Sequence, residues 1–150
     1  MRPTTTAIAA AALLALAGCA APVVQMYEGP TLAPSQQVIV RAESRGRTFV
    51  GERIDIQQVD DKPTLKTAEG IMSSSSGAQA VYLLPGKHTL RLRYRGPGAA
   101  VTANLWLVGE AGNSYLVKGG QTGDGLKVWI EDEKTGKPVG GVRSSADEPK

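Results

Sequence analysis

The sequence predicts an all-β domain, an immunoglobulin-like antiparallel β-sandwich of about seven strands. Three observations carry that expectation. Short runs of β-branched and aliphatic residues recur along the chain, separated by Gly, Pro, Asp and Ser. Several runs alternate apolar and polar residues with period two, the pattern of a sheet packed on one face. Beyond residue 18, nothing supports a long amphipathic helix. A small barrel is the alternative arrangement of the same strands.

Taken in order, residues 1–18 come first, with Arg2 near the start, an apolar stretch from Ala7 to Leu16 and small residues around Gly18. This is the layout of a cleaved secretory signal peptide. A membrane span needs about 20 apolar residues, and this stretch is shorter. Residues 19–35 carry Pro22, Pro30 and Pro34 without a sustained period and read as an extended, flexible tether. The sandwich domain is expected over 36–141, with strands at 36–43, 52–59, 79–84, 87–95, 100–108, 113–118 and 126–131. In 87–95, His88, Leu90, Leu92 and Tyr94 point one way, opposite Lys87, Thr89, Arg91, Arg93 and Arg95. In 126–131, Leu126, Val128 and Ile130 oppose Lys127, Trp129 and Glu131. Leu84-Pro85-Gly86-Lys87 has the residues of a type II turn, whose second central position needs positive φ. Gly109–Gly112 and Thr135-Gly136 supply further reversals, the run at 73–78 reads as a mobile loop, and 142–150 as a disordered tail.

Size and charge bound the function classes. Loss of residues 1–18 leaves 132 residues, enough for one domain with a substantial core. It removes only Arg2, so 16 Lys and Arg then face 14 Asp and Glu, and this mild charge argues for no nucleic-acid partner. The charges are uneven, however. No acidic residue lies between Glu69 and Glu110, an interval that holds Lys87, Arg91, Arg93 and Arg95.

The single cysteine, Cys19, follows Leu16, Ala17 and Gly18, and this string resembles the lipobox of bacterial lipoproteins. The resemblance implies that the Cys19 thiol carries lipid, including a palmitate-type acyl chain, and becomes the new N-terminus. Each buried CH₂ contributes about 0.8 kcal/mol, so several chains hold a protein firmly to a bilayer. Ala20 rather than Asp after the cysteine is similar to the outer-membrane sorting pattern, which implies a periplasm-facing protein on the outer membrane. An ordinary signal peptide cut nearby is the plainer reading of the same residues. With no second cysteine there is no intramolecular disulfide.

A second resemblance lies in Val81–Leu90 (VYLLPGKHTL), which looks like the LxPGxHxL hairpin of PEGA-like domains, small β-sandwich modules of bacterial envelope proteins. Tyr27-Glu28-Gly29-Pro30, Gly112–Tyr115 and Trp129–Val139 are similar to segments of a group of small proteobacterial envelope lipoproteins that carry this core. The P-E-G-A string itself is absent, and the group supplies no functional residues to carry over.

The candidate chemistry is sparse. His88 is the one histidine; with Ser73–Ser76 and Asp60 it could in principle complete a Ser-His-acid set, but no GxSxG elbow occurs and a structural role beside the turn is expected. One His and one lipidated Cys leave no zinc-type site, and Glu131, Asp132 and Glu133 lack the spaced pattern of a calcium loop. Neither a metal nor another cofactor is therefore expected. Trp106 and Trp129 fall opposite the aliphatic faces of their strands; burial in a second core is expected for them, and exposure at a partner surface is the alternative. The sharpest feature is the ladder of Arg91, Arg93 and Arg95, projecting guanidinium groups from one strand face about 7 Å apart. Arginine forks match phosphate and carboxylate, so the ladder is the candidate anion-binding site, for lipid A or peptidoglycan; the alternative is a solvated strand face. The expectation is a lipid-anchored envelope protein that contacts an envelope protein partner noncovalently, without catalysis.

Overall fold

A computed structural model describes residues 23–47, 50–65, 77–123, 125–143 and 146–149. Among them the chain is all-β: twelve strands and one 3-10 turn, Pro34–Gln36. The strands are β1 (Val24–Gln25), β2 (Val38–Ala42), β3 (Ser44–Arg47), β4 (Val50–Val59), β5 (Lys62–Pro63), β6 (Ala80–Leu83), β7 (Gly86–Gly96), β8 (Ala99–Gly109), β9 (Ser114–Thr122), β10 (Gly125–Asp132), β11 (Pro138–Val139) and β12 (Gly141–Val142). All seven expected strands are present; the five others are short.

Two sheets form. Sheet A runs β1-β6-β2-β9-β10-β11 and sheet B runs β12-β8-β7-β4-β3, with β5 also beside β4. They pack face to face, because period two places one apolar row of each strand inward. Val38 and Val40, Val81 and Leu83, Tyr115 and Val117, and Ile130 come from sheet A, and Ile54 and Ile56, Leu90, Leu92 and Tyr94, and Leu105 and Leu107 from sheet B. These residues form one buried cluster. At about 25 cal/mol per Å² of apolar surface removed from water, such a row is the main stabilising term.

Contrary to the antiparallel sandwich expected, the pairing is mixed. β1 pairs with β6, and β2 with β9, in parallel. The partners are distant in sequence, so no hairpin constrains their direction. The chain instead changes sheet repeatedly: Glu43 alone separates β2 in sheet A from β3 in sheet B, its N–H donating to the Val117 carbonyl at 2.9 Å.

The Pro85-Gly86 turn likewise joins β6 of sheet A to β7 of sheet B, so the segment is a crossover between sheets and not the hairpin its resemblance implies. Gly86 has φ of 133°, the positive value expected from its turn position. Between β4 and β5, Asp60 and Asp61 have φ of 50° and 62°, a two-residue loop in which Asp is tolerated. Strand β4 carries a bulge between Ile56 and Gln58, which lets Val59 face inward beside Ile54 and Ile56.

Both segments flanking the domain are partly docked. Within the expected tether, β1 extends sheet A, and Tyr27 donates from its hydroxyl to Gln37 Oε1 at 3.1 Å. Within the expected tail, Arg143 forks onto Asp61 at 2.8 and 3.2 Å, and Lys87 Nζ lies 2.9 Å from Glu148. Sequence alone misses the tail contacts because their partners lie more than 60 residues away. The expected loop at 73–78 lies mostly outside the described residues, which resume at Gly77.

Candidate functional site

Cys19 and the signal segment 1–18 lie outside the described residues. The arginine ladder is within them and is divided. Asp55 points to the outer face of sheet B, yet it is fully buried. Arg53 Nε donates to its Oδ1 at 2.7 Å, Arg95 Nη2 donates to its Oδ2, and Gln79 Nε2 donates to Oδ1 at 2.8 Å. Arg95 is therefore held by a buried carboxylate. Arg91 and Arg93 have no ion-pair partner among the described residues; Arg91 is exposed and Arg93 half-buried. They stand opposite Asn104 and Thr102 of β8. The expected three-guanidinium site thus reduces to two.

His88 borders a pocket of about 420 Å³ with Tyr27, Glu28, Asp60 and Lys62. Its Nδ1 lies 2.7 Å from Asp60 Oδ2, and its Nε2 lies 2.7 Å from the Leu84 carbonyl oxygen. Both ring nitrogens face acceptors, so neither is open to a substrate. Asp60 Oδ1 also accepts the Thr89 N–H at 2.8 Å. The residues tie the turn after β6 to the loop after β4. Ser73–Ser76 lie outside the described residues.

The acidic run has separate partners. Glu131 accepts from Trp129 Nε1 at 2.7 Å and from Lys118 at 3.1 Å, which together hold its carboxyl below its usual range, the indole first. Asp132 accepts the Thr135 N–H at 2.8 Å and is likewise lowered. Glu133 pairs with Arg41 at 2.6 Å. Asp61 is lowered by the Arg143 fork. Among the described residues, no group of three or more His, Cys, Asp and Glu side chains could hold a metal ion.

Neither tryptophan is buried in the core, contrary to expectation. Both are half-buried on outer faces, Trp106 against Gly141 of β12 and Trp129 bonded to Glu131. The indole N–H of Trp129 finds an acceptor there that an aliphatic core would lack.

An apolar groove, which the sequence does not announce, opens along one side of the sandwich. It has a volume of about 800 Å³ and lies between β8 and β10, with Ala103, Leu105, Leu126 and Val128 along it and Val101, Trp129, Pro138 and Val142 at its margins. Val101 is 38% exposed and Val142 is 62% exposed. The cause is the brevity of the covering strands. β12 pairs with β8 only at Leu105 and Trp106, and β11 pairs with β10 only at Ile130 and Glu131. Among the described residues, no strand covers β8 from Ala99 to Ala103.

This geometry defines a two-sheet β-sandwich with an open apolar side. Comparison with protein-family models, curated proteins and solved structures gives no significant match. Among the described residues, no helix is long and apolar enough to cross a membrane.

Proposed function

We propose that this chain is a lipid-anchored protein of the bacterial cell envelope, a noncatalytic interaction module with an immunoglobulin-like, PEGA-like sandwich. Lipid on Cys19 holds it to the outer membrane, facing the periplasm, and the sandwich binds an envelope protein. The observation that supports binding is the 800 Å³ groove, within the size range of about 300–1,000 Å³ typical of ligand sites. Solvent-facing apolar side chains around such a groove are a recurrent mark of interaction surfaces. The tether supplies effective concentration, since a domain fixed at a bilayer meets partners on that surface more often. Both ring nitrogens of His88 already face acceptors, which supports the noncatalytic reading.

Two measurements test the proposal. Intact mass of the membrane-extracted protein should show an N-terminus at Cys19 with added acyl chains, and Cys19→Ser should release the protein from the membrane. A photo-crosslinking residue at Val101 or Val142, in intact cells, should give one discrete protein adduct, with none from a control at Lys134. An unmodified thiol sinks the anchor, and equal labelling from all three positions sinks the interaction surface.

The second reading, binding of anionic glycan or lipid phosphate, keeps Arg91 and Arg93 but loses Arg95 to Asp55.

A further inference from the structure

We infer that the open edge of β8 takes an extended peptide as an added strand, its apolar residues entering the groove and an outward acidic residue facing Arg93. The inference rests on the interaction-module reading and names the chemistry of the partner.

The main chain argues for a strand. In an antiparallel ladder, successive residues direct their N–H and C=O groups to opposite neighbours. Arg143 N–H donates to the Asn104 carbonyl at 2.9 Å, so Asn104 faces the β12 side, and by period two Thr102 and Ala100 face it as well. No described strand reaches those two residues. An unpaired edge is a template for another chain, and affinity in such strand addition comes from main-chain bonds. A bound hydrocarbon would leave these groups unpaired.

The chain already follows this path for a short distance. From β11 on the edge of sheet A it crosses at Gly140 and becomes β12 on the edge of sheet B. The groove lies beside the same two edges, where β11 and β12 no longer cover them. An incoming strand would continue that intramolecular interface.

Charge selects the sequence of the partner. On the outer face of sheet B, Arg93 is opposite Thr102 and Arg91 opposite Asn104. An added strand lies one further step out, so its outward side chains sit about 10 Å from β7. Thr102 is short and exposed, so Arg93 can reach over it. The place beside Asn104, in the row of Arg91, is already held by Arg143, so the added strand sets its outward residue beside Thr102, where an acidic side chain complements Arg93. The added strand's inward side chains fall to the apolar side, toward Val101, Ala103 and Val128.

The test uses the purified full chain carrying Cys19→Ser and a dye-labelled peptide, acetyl-Val-Asp-Val-Asp-Val-Asp-Val-amide, read by fluorescence anisotropy. Saturable binding is expected. N-methylation of alternate residues should abolish it, replacing Asp by Lys should weaken it at least tenfold, and R93Q should weaken it several-fold and flatten its salt dependence. Thr102→Pro removes the edge donor and should abolish binding while the thermal midpoint stays near that of the parent; if that variant unfolds, Val101→Lys is the second block. Equal binding of the N-methylated peptide, or binding of decanoate at the groove with none of the peptide, overturns the inference. If the peptide fails while groove crosslinks persist in cells, the strand is refuted and the interaction module stands. If both fail, the module falls too.

Discussion

Removing the cations around Asp55 should unfold the protein more readily than removing Asp55 itself. Asp55 has no solvent exposure, whereas the side chains of Arg53 and Arg95 are 43% and 38% exposed. Deleting the carboxylate strands two guanidinium groups that can turn to water. Deleting the arginines strands a charge that cannot. For Asp55→Asn the cost should be about 1.5–2 kcal/mol, the lower part of the range for hydrogen bonds to charged groups. For R53M/R95M the buried carboxylate is uncompensated, and about 3–5 kcal/mol is expected. Arg93 stands opposite Asp55 in register and can partly substitute, so adding R93Q should bring the loss to the upper end of that range. The triple variant R53M/D55L/R95M replaces the cluster with apolar groups and should return to within about 1 kcal/mol of the parent. Urea unfolding followed by tryptophan emission measures all four. With a slope of about 2 kcal/mol per M, the double arginine variant should shift the midpoint by about 1.5–2.5 M. A double variant that costs less than Asp55→Asn would refute the reasoning.

Two further outcomes follow from local geometry. Gly140 has φ of 70° and its added Cβ would strike the Trp106 carbonyl oxygen, so Gly140→Ala should cost about 2–4 kcal/mol; Gly136, with φ of 66° and open space around it, should cost about 1 kcal/mol on the same change, and equal losses in urea unfolding would count against the docking of β12. Asp61, Glu131 and Asp132 are each held below their ordinary values in the folded chain, so the unfolded chain binds more protons as acid is added. Their contribution is whole at neutral pH and fades as pH falls through about 4 and below, and D61N/E131Q/D132N should flatten the thermal midpoint between pH 5 and 2.5; parallel curves for variant and parent would contradict this.

The strands were legible where an apolar row repeats every second residue. In β7, Leu90, Leu92 and Tyr94 are buried as their alternation requires. The two-residue strands β1, β5, β11 and β12 have no period to read, and their existence depends on which longer edge is nearby. In β4, Val59 breaks the parity set by Ile54 and Ile56, and that break is the sequence trace of the bulge. Asp55 alternates with the inward isoleucines and reads as a solvated outer residue. Its burial depends on Arg95, 40 positions away, and on Gln79. One clue was present, an Asp flanked two residues earlier by Arg and matched to an RLRYR run, but it gains meaning only with the register. The groove was illegible for a similar reason, since it exists where two covering strands end.

The register also decides what the arginine face can recognise. A single phosphate is best held by donors that converge on it. Arg91 and Arg93 instead sit about 7 Å apart along one strand, with Arg95 removed from the set by Asp55. That interval is the repeat of alternate residues in a second strand laid alongside. Arg91 lies in the row of Asn104, whose outer place Arg143 holds, so Arg93 in the row of Thr102 is the guanidinium that a peptide strand carrying a carboxylate would face. The edge of β8 between Ala99 and Ala103 is where such a peptide would meet both main-chain groups and apolar floor. Charge, hydrogen bonding and apolar contact therefore favour the same ligand geometry, and a free phosphate could use only the first of them.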